Sequence, residues 1–135
     1  MSKLLARLRD ATRSGVYRAS GDADILDSTR ESDLDVVALQ VEKDIFGELA
    51  RELGFPEWFG RNWDALEDCL GDLSWRDGEG HVLLFRSWPS GDELGTLIDV
   101  LRSSAEYWAG CGRPFFAVFL DPQRALALPD LYREA

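Results

Sequence analysis

The stretch Phe115-Phe-Ala-Val-Phe-Leu120 carries no polar side chain at any position. Successive side chains of a strand point to opposite faces, so a strand without polar positions must be covered on both sides. That condition is met by a mostly parallel sheet with helices packed on it. Upstream, Asp92 to Trp108 shows helical periodicity through Leu94, Leu97, Ile98, Leu101 and Ala105, until Gly110-Cys-Gly-Arg-Pro114 breaks it. Before that helix, His81-Val-Leu-Leu-Phe85 reads as a second strand, and Leu34-Asp-Val-Val-Ala-Leu39 as a third.

Two helices fit between these two strands. Asp44 to Leu53 carries Ile45, Phe46, Leu49, Ala50 and Leu53 in an amphipathic stripe, with Gly54 placed to end it and Pro56 to prevent its continuation. Residues 63–73 set Leu66, Cys69, Leu70 and Leu73 on one side, with Asn62 in front as an N-cap. The order strand, helix pair, strand, helix, strand needs crossover connections, which predict an α/β fold with a small, mostly parallel three-stranded sheet.

On this reading residues 34–120 form the central domain. Residues 1–33 are an N-terminal extension: a short helix over 2–12 with Leu4, Leu5, Leu8 and Ala11, a brief strand at Val16-Tyr17-Arg18-Ala19, and loop from Ser20 to Asp33. Residues 121–135 are a C-terminal tail containing Pro122 and Pro129, either docked as a short turn or loose.

The chain has 135 residues, with 25 Asp or Glu against 15 Lys or Arg and a formal charge of −10. A chain of this length buries roughly 68% of the surface its unfolded form exposes, enough for one core without metals or crosslinks. The acid excess argues against direct binding of nucleic acid or an anionic membrane, since both require a basic surface. It suits a cationic partner, and also serves plain solubility. The start, Met1-Ser-Lys-Leu-Leu-Ala-Arg-Leu-Arg-Asp10, breaks its apolar residues with Lys3, Arg7 and Arg9, so a cytoplasmic location is expected. Cys69 and Cys111 lie in predicted ordered elements without a CxxC or Cys/His grouping, and two buried, reduced thiols are expected.

No catalytic constellation is evident, and neither enzyme activity nor a cofactor or metal is expected. His81 is the one histidine and heads an apolar strand, the setting of a structural side chain. There is no GxSxG, no GxGxxG after a strand and no GxxxxGK[ST].

The distinctive element is the helix at 63–73. Turning about 100° per residue from Trp63, the apolar side chains fall between roughly 240° and 340°, and Asp64, Glu67, Asp68 and Asp72 between roughly 40° and 180°. An acid in the first turn complements the helix dipole, by about 0.3–1 kcal/mol. Later acids gain nothing from it, and like charges at i, i+4 repel by about 0.2–0.5 kcal/mol per pair. A cationic ligand, either an arginine-rich protein surface or a divalent metal, would relieve that repulsion. Trp58, Phe59, Trp63 and Trp75 cluster around the helix, as core fillers or as binding anchors.

The segment from Leu53 to Leu70 resembles the signature of the barstar family, intracellular inhibitors of barnase-type ribonucleases. Its core is Pro56-Glu57-aromatic-aromatic-Gly60-x-Asn62-x-Asp64-Ala65-Leu66-x-Asp68-Cys69-Leu70. The similarity extends more loosely from Leu34 to Leu120, leaving residues 1–33 outside it. The resemblance implies a protein that plugs a ribonuclease active site with its acidic second helix and the preceding loop. Asp68 then matches the principal contact, a carboxylate standing in for an RNA phosphate, and Asp64 a second acidic one. Trp58 stands where the family usually has a tyrosine, Asn62 and Trp63 match further contacts, and Glu67 replaces a tryptophan. An acidic contact on the family's third helix has Glu106 as its nearest candidate.

The expected partner is therefore a basic ribonuclease or nuclease toxin, the latter making the protein an immunity factor. Two other readings are a barstar-like module for a non-nuclease partner, and a Mg²⁺- or Mn²⁺-dependent phosphoryl-transfer enzyme using Asp64, Glu67, Asp68 and Asp72.

Overall fold

A computed structural model describes residues 2–132. The elements in chain order are α1 (Lys3–Leu8), a 3-10 turn (Ala11–Arg13), β1 (Gly15–Ala19), α2 (Ala23–Thr29), β2 (Leu34–Gln40), α3 (Ile45–Leu53), α4 (Trp63–Leu70), β3 (Gly80–Ser87), α5 (Asp92–Gly110) and β4 (Phe115–Leu120). The strands form one sheet in the order β1-β4-β3-β2, every pairing parallel.

The all-apolar β4 lies inside this sheet and divides its side chains between two cores. Phe115, Ala117 and Phe119 join Leu49, Leu53, Leu66, Leu70, Leu97 and Leu101 under α3, α4 and α5. Phe116 and Val118 join Leu4, Leu8, Ile25 and Leu131 on the opposite face. Period-two alternation thus supplies both layers from a single strand. Each fully buried leucine among them contributes about 1.5–3 kcal/mol relative to exposure.

The sheet has four strands rather than the three expected. The fourth is β1, whose Gly15 to Ala19 run alongside Phe116 to Leu120 and bury Val16 and Ala19. Its outer edge is sealed by the tail, where the Arg18 amide donates to Pro129 O and the Leu131 amide to Arg18 O, both at 2.9 Å. The tail is docked up to its last described residue. Asp121 anchors it, its carboxylate accepting from the Ala125 and Leu126 amides at 3.0 and 2.8 Å, and Leu131 is fully buried. Residues 133–135 of the expected tail, and Met1 of the extension, lie outside the described residues.

The expected loop from Ser20 to Asp33 contains α2. Its apolar signal is a single anchor, Ile25, which fills the second core while Leu26 stays exposed. Cys111 is exposed, contrary to expectation, whereas Cys69 is buried and both are free thiols. The reason is that α5 runs on through Gly110, so Cys111 becomes its surface C-cap, its amide donating to Trp108 O at 3.0 Å. No described helix is long and apolar enough to cross a membrane.

Candidate partner-binding site on an acidic helix

The site is built on the chain reversal between α3 and α4. Gly54 ends α3 in the left-handed conformation, at φ 69°, where a side chain would be strained. A turn follows, closed by the Phe59 amide donating to Pro56 O at 3.0 Å. Phe55 and Phe59 point inward, with centroids 4.8 Å apart, and Phe55 reaches Trp75 at 5.9 Å. Trp58, between them in the turn, is 65% exposed. The same loop therefore secures itself with two aromatic rings and offers a third to solvent.

Asn62 caps α4, its Oδ1 accepting from the Ala65 amide at 2.8 Å while Nδ2 donates to Gly60 O at 3.4 Å. Trp63 is half-buried against Phe46, with centroids 5.0 Å apart. Leu66, Cys69 and Leu70 face the core. Asp64, Glu67 and Asp68 are exposed on the other side. Burial, with help from the charges of Asp72 and Asp68, pushes the Cys69 thiol above its ordinary pKa, which keeps it protonated.

The helix is shorter than its spacing predicts. It ends at Leu70 with Gly71 as C-cap, so Asp72 belongs to the following loop and Asp68/Asp72 is not a helical i, i+4 pair. Asp72 remains exposed beside the C-terminal end. Among the described residues, none of the ion pairs involves Asp64, Glu67, Asp68 or Asp72. Nor does any group of three His, Cys, Asp or Glu side chains among them converge as metal ligands.

Behind this face lies a network in which every charge is paired. The Asp35 carboxylate on β2 takes Arg76 through two nitrogens, at 2.7 and 3.0 Å, and meets His81 Nδ1 at 2.9 Å. Burial pushes the Asp35 pKa up, but hydrogen bonds from His81 and Arg76 outweigh it and hold the group at about 2. Arg76 also donates to Leu53 O at 3.1 Å, joined there by Trp75 Nε1 at 2.9 Å. The loop after α4 is thereby tied to the end of α3. His81 is buried and structural, packed beside Trp108 at 5.5 Å. Trp108 Nε1 in turn donates to Leu70 O at 2.7 Å, fixing α5 to the C-terminal end of α4.

That contact leaves a groove of about 290 Å³ between the two helices, lined by Glu67, Asp68, Gly71, Ser103, Ser104 and Tyr107. Tyr107 is 56% exposed. Its hydroxyl pKa is raised, first by a hydrogen bond with Cys111, with Asp72 adding to it. Glu106, the third-helix acid suggested by the resemblance, lies on the opposite flank of α5, lining a separate cavity with Ser14, Tyr17 and Arg102. The sequence reading missed Tyr107. Its signal was an aromatic ring standing off the stripe of Leu94, Leu97, Leu101 and Ala105.

Residues 29–120 match the family described as Barstar (barnase inhibitor), a span that includes β2 to β4 and the whole site. The chain belongs to the barstar family. Neither the curated proteins nor the solved structures include a match to it. The barstar match begins at the last residue of α2, so α1, β1 and nearly all of α2 are outside it, although β1 shares the sheet and α1 and α2 line the second core. Asn62, Asp64, Glu67 and Asp68 lie together on the exposed end and face of α4, with Trp58 in the adjoining loop. Trp63 stands apart from them by its packing on Phe46.

Proposed function

We propose that this barstar-family protein inhibits a cationic ribonuclease of the barnase type, covering its active site with α4 and the loop from Gly54 to Asn62. The observation that carries the reading is the set of carboxylates on α4 that form no ion pair among the described residues. A ribonuclease gathers cationic side chains to hold RNA phosphates. Asp64 and Asp68 offer those cations the same charge on a rigid frame with no scissile bond, so inhibition requires no chemistry from the inhibitor. Trp58 supplies the apolar contact beside the charges, covering a large area at a small cost in side-chain entropy.

The formal charge of −10 also assists encounter with a basic enzyme. That steering weakens as salt shortens the Debye length from ~30 Å at 0.01 M to ~10 Å at 0.1 M. In this reading the protein works in the cytoplasm, protecting the cell from a nuclease as an immunity factor does. The test is an RNA-cleavage assay with a barnase-type ribonuclease and rising amounts of the full chain. Cleavage should cease near one molar equivalent; undiminished cleavage at a large excess refutes the proposal for that nuclease class.

A further inference from the structure

We infer that Tyr107 is a second aromatic anchor of the inhibitory surface, and that the α4–α5 groove receives an arginine side chain of the partner against its ring. The inference rests on the nuclease-inhibitor reading and deepens it by naming the group that is recognised.

Large hydrophobic side chains are exposed at only a few described positions: Leu26, Trp58 and Tyr107. Trp58 stands in the loop leading into α4, and Tyr107 forms a wall of the groove that Glu67 and Asp68 line from the other helix. Between ring and carboxylates the lining is small: Gly71, Ser103 and Ser104. A Cβ added at Gly71 would stand 3.9 Å from Tyr107 Cδ2 and 3.3 Å from Glu67 O, so a larger residue there would crowd the groove. Ser104 already donates to Val100 O at 2.9 Å, and Ser103 is exposed. The chain's own nearby cation does not occupy the space, because Arg102 pairs with Asp99 at 3.8 Å and lines the cavity on the far flank of α5.

An aromatic wall facing two carboxylates that form no ion pair among the described residues discriminates between cations. A guanidinium is planar and weakly hydrated, so it can lie on the ring while its edge donates to a carboxylate. An ammonium keeps its water and presents a point charge. The partner's contribution is therefore an arginine rather than a lysine.

The test titrates the isotope-labelled full chain with nona-arginine and nona-lysine peptides of equal charge, followed by amide chemical shifts. Nona-arginine should bind about 2- to 30-fold more tightly, as a cation–π contact predicts, with shifts centred on Gly71, Ser103 and Tyr107. Tyr107→Ala should erase the preference, and Tyr107→Phe should keep it. Equal binding of the two peptides, shifts centred instead on the separate acidic cavity lined by Asp33, Asp77 and Glu79, or an undiminished preference in Tyr107→Ala would overturn the inference.

The ribonuclease assay separates this outcome from that of the broader reading. If Asp68→Ala abolishes inhibition and Tyr107→Ala leaves it unchanged, the anchor is refuted and the inhibitor stands. If Tyr107→Ala erases the arginine preference of a protein that inhibits no ribonuclease, the anchor is supported and the nuclease reading is lost.

Discussion

Asp35 and Asp68 are both aspartates in one small domain, and the fold treats them in opposite ways. Asp35 is largely buried, holds Arg76 with two hydrogen bonds, contacts His81, and has its pKa drawn down to about 2. Asp68 is exposed, shares a helix face with Asp64 and Glu67, and takes part in none of the ion pairs among the described residues. Burying a charge without a partner is costly, so Asp35 must have its partners for the chain to fold. An exposed charge faces no such requirement, and its position can answer to something outside the molecule. Paired carboxylates hold the frame; unpaired ones are available for recognition.

The comparison breaks most directly at Asp68. Asp68→Ala should weaken binding of an inhibited ribonuclease by about 5 kcal/mol, the upper part of the range for truncating one member of a buried charge pair, measured by titration calorimetry or inhibition kinetics. Barstar-type complexes themselves contributed to that range, so the magnitude is borrowed. Asp35→Ala should act on the other quantity. It leaves Arg76 and His81 without their carboxylate and should cost about 3 kcal/mol in urea unfolding, with inhibition preserved wherever the protein stays folded.

The same distinction is sharpened by pH. Because folding lowers the Asp35 pKa from 3.8 to about 2, its contribution is fully present above pH 4 and is lost as the pH falls toward 2. That loss should amount to about 2 kcal/mol in acid titration of the unfolding free energy, and should vanish in Asp35→Ala.

Much of this arrangement was legible in the sequence where one local rule decided the outcome. Phe115 to Leu120 had to be an interior strand, and Asn62 before Trp63 had to cap a helix; both follow from the identity of neighbouring residues. Elements fixed by distant partners were harder to read. β1 is only Gly15–Ala19, and its place in the sheet depends on β4 and on a tail more than a hundred residues away. α2 exists around one buried isoleucine, too sparse a pattern to show periodicity. Asp72 carried the right spacing for α4 and still fell outside it, because Gly71 ends the helix one residue earlier. Tyr107 reaches the groove through the packing of α5 on α4, which the Trp108–Leu70 hydrogen bond helps fix, a tertiary contact that composition does not announce.

The most direct test joins both halves of the comparison in one variant, Asp64→Asn/Asp68→Asn, measured for thermal unfolding and for ribonuclease inhibition. Removing the like-charge i, i+4 pair gains about 0.2–0.5 kcal/mol and removing the first-turn charge of Asp64 gives up about 0.3–1 kcal/mol of dipole complement, so the two nearly offset and the unfolding midpoint should stay close to that of the parent protein while inhibition is lost. A midpoint lowered by several degrees with inhibition intact would show that these carboxylates serve the fold and not a partner, contradicting the account.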